Sequence, residues 1–114
     1  TTVSNFAAGI KKHGVNHGGR PYMTTSYYNS TSSDYYANYK SEIGYNRPAG
    51  VYVGLYLGHD DTYEYHFMPG YGYYHDATEG FRGINVATNW GYSDMIDYDY
   101  YRGRYSFYFI WVRP

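Results

Sequence analysis

The chain has no cysteine among its 114 residues. Neither a disulfide framework nor a thiolate metal site can form, and the redox compartment leaves no mark on it. No stretch approaches the roughly 18 consecutive apolar residues that a membrane-spanning helix needs. Charge is scarce and balanced, with nine Lys and Arg against ten Asp and Glu, a net of −1 and no basic run. Nucleic acid is therefore not an expected partner, because binding along phosphates needs clustered cations. No linker and no repeat period divides the chain, so residues 1–114 read as one domain. A chain of this size buries about 65% of its unfolded surface, enough for one core without metal or crosslinks.

What it has in excess is tyrosine, 20 residues in all. Some alternate inside strand patterns, as in Val51-Tyr52-Val53-Gly54-Leu55-Tyr56-Leu57. Others crowd into glycine-rich stretches, as in Gly70-Tyr71-Gly72-Tyr73-Tyr74-His75-Asp76. A core cannot absorb so many, since every buried hydroxyl needs a partner. Tyrosine offers a flat face, a polar tip and two torsions to freeze, which is the profile of a binding surface for sugar faces or lipid headgroups.

The period-2 pattern predicts a hairpin: Val51, Val53, Leu55 and Leu57 on a core face, Tyr52 and Tyr56 opposite Tyr63 and Tyr65 on a tyrosine face, and a turn over 58–62. Pro69 lacks the N–H a ladder needs, so the second strand is expected to stop there and give way to a loop. Further strands are expected at 22–28, at 81–87 and at 105–112, the last apolar on both faces and hence central. Helix is scarce: Ser4–Lys12 supports two turns stopped by Gly14, although Ala8-Gly9-Ile10 also reads as strand, and Ser93 or Asp94 can cap a helix from Met95 to Tyr101. Fourteen glycines spread through the connections point to tight turns. The expected class is mainly β, a single antiparallel β-sandwich with one or two short helices.

Metal and catalytic motifs are weak. His13 and His17 are four apart, but Gly14, Gly18 and Gly19 argue against a helix and no Glu follows the first His. His59-Asp60-Asp61 and His75-Asp76 lack calcium-loop spacing and read as turns in which Asp caps backbone amides. Ser30-Thr31-Ser32-Ser33 has no nucleophile elbow and reads as a polar turn. Glu64 and His66 share a strand face, and Arg82, Arg102 and Arg104 can bind phosphate. With Glu79-Gly80-Phe81-Arg82 and Tyr105-Ser106-Phe107 these resemble a small secreted ribonuclease of the barnase type, except that Arg104 stands where that family has a catalytic histidine. No catalytic residue and no metal or cofactor is assigned. The chain opens on Thr1 without methionine and carries the sequon Asn29-Ser30-Thr31. The expectation is secretion.

Phe6-Ala7-Ala8-Gly9-Ile10, Tyr27 to Asp34, Ala49 to Tyr56, Thr62 to Pro69 with Tyr71 and Tyr73, and Met95 to Tyr101 resemble, in order and spacing, the β-sandwich of the actinoporins, the sea-anemone pore-forming cytolysins. The resemblance implies a phosphocholine headgroup, typically of sphingomyelin, gripped by an aromatic cluster. Carried over, Ser30 lies in the polar rim, Phe67 and Pro69 line the pocket, Tyr73 or Tyr74 stacks on the choline, and Tyr100 and Tyr101 complete the cage. Two departures stand out: Ile96 replaces a cage tyrosine, and the amphipathic N-terminal helix that makes the pore is absent or trimmed. The resemblance also lacks a strand and loop of that family near the C-terminus. The expectation is a secreted, non-enzymatic binding protein for a membrane lipid headgroup, cytolysin-like, with a glycan-binding lectin or a small ribonuclease-type toxin as alternatives and the oligomeric state open. The site is expected where residues 69–75 meet residues 94–101, with Trp90 and Tyr92 nearby.

Overall fold

The computed structural model describes residues 3–17, 23–47, 49–56, 63–87 and 93–113. Six strands, β1 (Thr24–Asn29), β2 (Ala49–Tyr56), β3 (Tyr63–Asp76), β4 (Phe81–Ala87), β5 (Ser93–Asp97) and β6 (Ser106–Arg113), join three helices, α1 (Val3–His17), α2 (Tyr36–Gly44) and α3 (Tyr98–Arg102). The protein is mainly β. All six strands form one antiparallel sheet in the order β1-β6-β2-β3-β4-β5. The layers that cover it are helical: α2 and α3 on one face, α1 on the other.

Alternation along the strands decides what each face buries. Val51 and Val53 on β2, Ile84 and Val86 on β4 and Phe107, Phe109 and Trp111 on β6 point to the α2 side and form the main core with Tyr36, Tyr39, Ile96 and Tyr98. Each fully buried apolar side chain of this size contributes about 1.5–3 kcal/mol. The opposite face carries Tyr52, wedged between Phe67 at 4.7 Å and Tyr108 at 5.7 Å between ring centroids. Tyr52 is thus buried. The hairpin register is as expected, Tyr56 opposite Tyr63; the turn over 57–62 and the side chains of Leu55, Tyr56, Tyr63, Glu64 and Tyr65 lie outside the described residues. β6 is central, between β1 and β2.

Three expectations are corrected. β3 does not stop at Pro69 but runs on to Asp76. It pairs with β2 up to Gly70 and with β4 from Gly70 onward, with a bulge between Gly70 and Gly72. Pro69 stands at that handover, next to the bulge and before the β4 ladder begins, a place where a missing N–H is tolerated. Second, α1 passes through Gly14. Gly14 is buried against the end of the Met23 side chain, and the docking of the helix outweighs a propensity cost of about 1 kcal/mol. Phe6 stacks on Phe67 with centroids 3.9 Å apart, and Thr25 Oγ1 donates to the Ala7 carbonyl at 2.8 Å. An N-terminal helix is therefore present and docked on the sheet. Third, Met95 and Ile96 belong to a strand, with Ile96 buried and Met95 exposed. The helix begins later, with Asp97 as its cap accepting from the Tyr100 N–H at 3.2 Å.

Helix α2 was not foreseen. Asp34 Oδ1 accepts from the Tyr36 N–H at 3.0 Å, Tyr36, Tyr39 and Ile43 recur at helical spacing toward the sheet, and Asn46 takes a left-handed φ of 57° just beyond its end, a conformation asparagine tolerates. The β3–β4 turn follows the capping expectation for Asp76, whose Oδ1 accepts from Thr78 and Glu79 at 3.0 and 3.1 Å.

Candidate functional site

The seven residues of the expected site are spread over several surroundings. Ser30 is fully buried, donating to the Ser33 carbonyl at 3.0 Å and sharing a hydrogen bond with the Tyr98 hydroxyl. Phe67 lies beneath α1 against Phe6. Pro69 is exposed at the sheet rim. Tyr73 and Tyr74 are both exposed, but as neighbours on one strand they face opposite sides: Tyr73 takes Lys40 of α2 at 6.0 Å from its ring, and Tyr74 lies against Phe81 at 6.2 Å. On α3, Tyr100 is exposed with Arg104 over its ring at 3.9 Å, while Tyr101 is half-buried against Tyr105. Trp90 and Tyr92 lie outside the described residues.

Between the two expected aromatic clusters stands an ionic lock. Arg82 on β4 donates to Asp99 on α3 through Nε at 3.0 Å and to Asp34 ahead of α2 at 2.6 Å, with its guanidinium 4.9 Å from the Tyr98 ring and 5.3 Å from the Tyr36 ring. These carboxylate hydrogen bonds, first that of Asp99, hold Arg82 firmly charged against the opposing effect of burial. Burial alone would raise Asp34, but the Tyr36 amide and Arg82 outweigh it and hold the carboxyl below its usual range. Tyr98 accepts from the Tyr35 N–H at 3.2 Å, and burial pushes its hydroxyl upward.

The exposed tyrosines that do converge lie along the seam between α2 and β3. Tyr71, pushed out by the bulge, lines a cleft of about 360 Å³ with Ile43, Asn46, Arg47, Pro69 and Gly70. Tyr73 follows two residues on, and between it and His75 sits Lys40, Nζ 3.0 Å from His75 Nδ1. Among the described residues no carboxylate lies within ion-pair reach of Lys40, whose ammonium lies 5.5 Å from the Tyr36 ring as well as 6.0 Å from that of Tyr73. Tyr45, the most exposed of the large apolar residues described, carries Arg47 over its ring at 4.8 Å. The seam is held rigid from below: Tyr39 donates to the Gly72 carbonyl at 2.7 Å, where the bulge interrupts the ladder, and Tyr36 to Gly83 at 2.9 Å. Sequence reasoning named Tyr71 and Tyr73 among the aromatic cluster but missed Lys40, because the helix that presents it was not foreseen.

Pro69 also lines a second cleft, of about 240 Å³, on the α1 side, with Phe6, Ile10, Gly50, Phe67 and Val112. Arg47, which lines the first cleft, pairs with Glu42 at 3.5 Å, and Glu42 also receives Arg113 at 2.5 Å. Among the described residues no group of three His, Cys, Asp or Glu is placed to hold a metal, and no helix is long and apolar enough to cross a membrane. His13 is exposed on α1, His17 has no described side chain, His66 is half-buried on β3 and the side chain of Glu64 lies outside the description, as do His59, Asp60 and Asp61. Compared with family models, curated proteins and solved structures, the chain matches none of them.

Proposed function

We propose that the chain is a non-catalytic binding module, and that the seam between α2 and β3 recognises a phosphate-bearing lipid headgroup of the phosphocholine type at an external membrane surface, as a secreted, cytolysin-like protein would. The observation that carries this is Lys40, which has no described carboxylate and sits between the exposed Tyr73 and His75. A lysine so placed supplies a compact charge for a phosphate. The exposed rings of Tyr71 and Tyr73 supply what a quaternary ammonium seeks, cation–π attraction worth about 0.5–2 kcal/mol per ring. Co-sedimentation with phosphatidylcholine and sphingomyelin vesicles tests it: the wild type is expected to pellet with them and Lys40→Gln to pellet far less, whereas equal pelleting of the two would refute the role of the seam.

A glycan is the second reading, favoured by the other face of the sheet. There Tyr74 is exposed, Phe81 and Met95 fold over Gly83, and Asn85 Oδ1 is buried without a hydrogen bond. Exposed aromatic faces suit the apolar face of a sugar ring. A glycan array with Tyr74→Ala as comparison separates the two: loss of a glycan signal in this variant alone would favour the sheet face over the seam.

A further inference from the structure

The two clefts that share Pro69 differ sharply in chemistry. The one beneath α1 is lined only by apolar residues, among them Phe6, Ile10, Phe67 and Val112, and holds about 240 Å³. That exceeds the roughly 150 Å³ of an apolar cavity that admits benzene. The one on the α2 side carries Asn46, Arg47 and Tyr71. They share Pro69, which lies opposite Gly50 on β2, next to Ala49, itself opposite Gly70 and Trp111.

Charge at this rim is unbalanced. Among the described residues Glu42 is the single carboxylate within ion-pair reach of either guanidinium, and both share it, Arg113 at 2.5 Å and Arg47 at 3.5 Å. Val112 lines the apolar cleft and Arg113 follows it directly, while Arg47 lines the polar one. Counted over the described residues, one positive charge is left over beside the cleft that Arg47 lines.

We infer that this rim binds a single-chain amphiphile with an anionic head, its alkyl chain beneath α1 and its head turned around Pro69 against Arg47. The chain removes apolar cleft surface from water; the head answers the surplus guanidinium in a fork geometry that suits phosphate or carboxylate. The inference rests on the headgroup reading for the chemistry of the ligand, but it places the ligand in a cavity and not on the membrane plane.

Calorimetric titration of the intact chain with octyl phosphate, octyl glucoside and inorganic phosphate tests it. Octyl phosphate is expected to bind at least about tenfold more tightly than either of the others, since each lacks one half of the match. Ile10→Trp, which fills the cleft, is expected to abolish octyl phosphate binding, and Arg47→Gln to bring octyl phosphate down to the affinity of octyl glucoside. Should Ile10→Trp fail to fold by circular dichroism, the surface variant Arg47→Gln carries the test. Equal affinity for octyl phosphate and octyl glucoside in the wild type, or unchanged octyl phosphate binding in a folded variant, would overturn the assignment. Vesicle binding that persists while octyl phosphate fails overturns the cleft alone; vesicle binding that fails while octyl phosphate binds overturns the headgroup reading and leaves the cleft standing.

Discussion

Arg82 grips Asp99 with two parallel hydrogen bonds, Nε to Oδ2 at 3.0 Å and a terminal nitrogen to Oδ1 at 2.5 Å, and so ties β4 to α3. The same guanidinium reaches Asp34 at 2.6 Å, which brings in the segment ahead of α2. Only an arginine fork spans both carboxylates. Because the two aspartates are about half exposed, solvent screens the pairs. Arg82→Ala is expected to cost about 1–2 kcal/mol, and Arg82→Lys nearly as much. Thermal unfolding checks this: a lysine variant as stable as wild type would show that charge alone suffices.

Tyr98 is the neutral counterpart of this lock. Its buried hydroxyl bonds to Ser30, accepts from the Tyr35 N–H and reaches Asp34 Oδ1 at 3.4 Å. Tyr98→Phe keeps the ring packing against Phe107 and Phe109 but strips partners from buried groups, at an expected cost of about 1–3 kcal/mol. Chemical denaturation measures it; a change under a few tenths of a kcal/mol would mean that water replaces the hydroxyl.

Stability should fall at both pH extremes. Burial pushes the Tyr36 hydroxyl from 10.0 up to about 12 and raises Tyr39 and Tyr98 as well. The folded state therefore holds these protons after the unfolded chain has released them, so stability is full below pH 10 and declines as pH rises from there toward 12. Asp34 works in the other sense. Its folded value lies below 3.8, so its contribution is present above that pH and is lost as pH falls through the folded value. Denaturant midpoints measured from pH 2 to 12 check both limbs. Tyr36→Phe should flatten the alkaline one.

Much of the fold was legible. β4 was read to the residue, because Ile84 and Val86 alternate with Asn85, and β6 was recognised as central because both its faces are apolar. Where tertiary contacts outweigh local preference, the reading fails: Gly14 reads as a helix stop and Pro69 as a strand end, yet the helix runs on past the one, packed against Met23, and the strand runs on past the other at the β2-to-β4 handover. Tyr36 and Tyr39 look like surface residues in a sequence, and only the carbonyls of Gly83 and Gly72 make their burial affordable. The site suffered most. Lys40 and His75 are 35 residues apart, and nothing local announces that an unforeseen helix sets them side by side, while Tyr73 and Tyr74, adjacent in sequence, are parted by the alternation of their strand.

The seam is tested most directly by equilibrium binding to phosphocholine-bearing vesicles, comparing Tyr71→Ala/Tyr73→Ala with Tyr74→Ala on the opposite face. Each stacked ring contributes about 0.5–1.5 kcal/mol, so the double variant should bind some tenfold more weakly or worse, with its thermal stability little changed because both rings are exposed. Tyr74→Ala should bind as the wild type does. A double variant that keeps full affinity, or a Tyr74→Ala protein that loses it, would contradict the assignment of headgroup recognition to the α2–β3 seam.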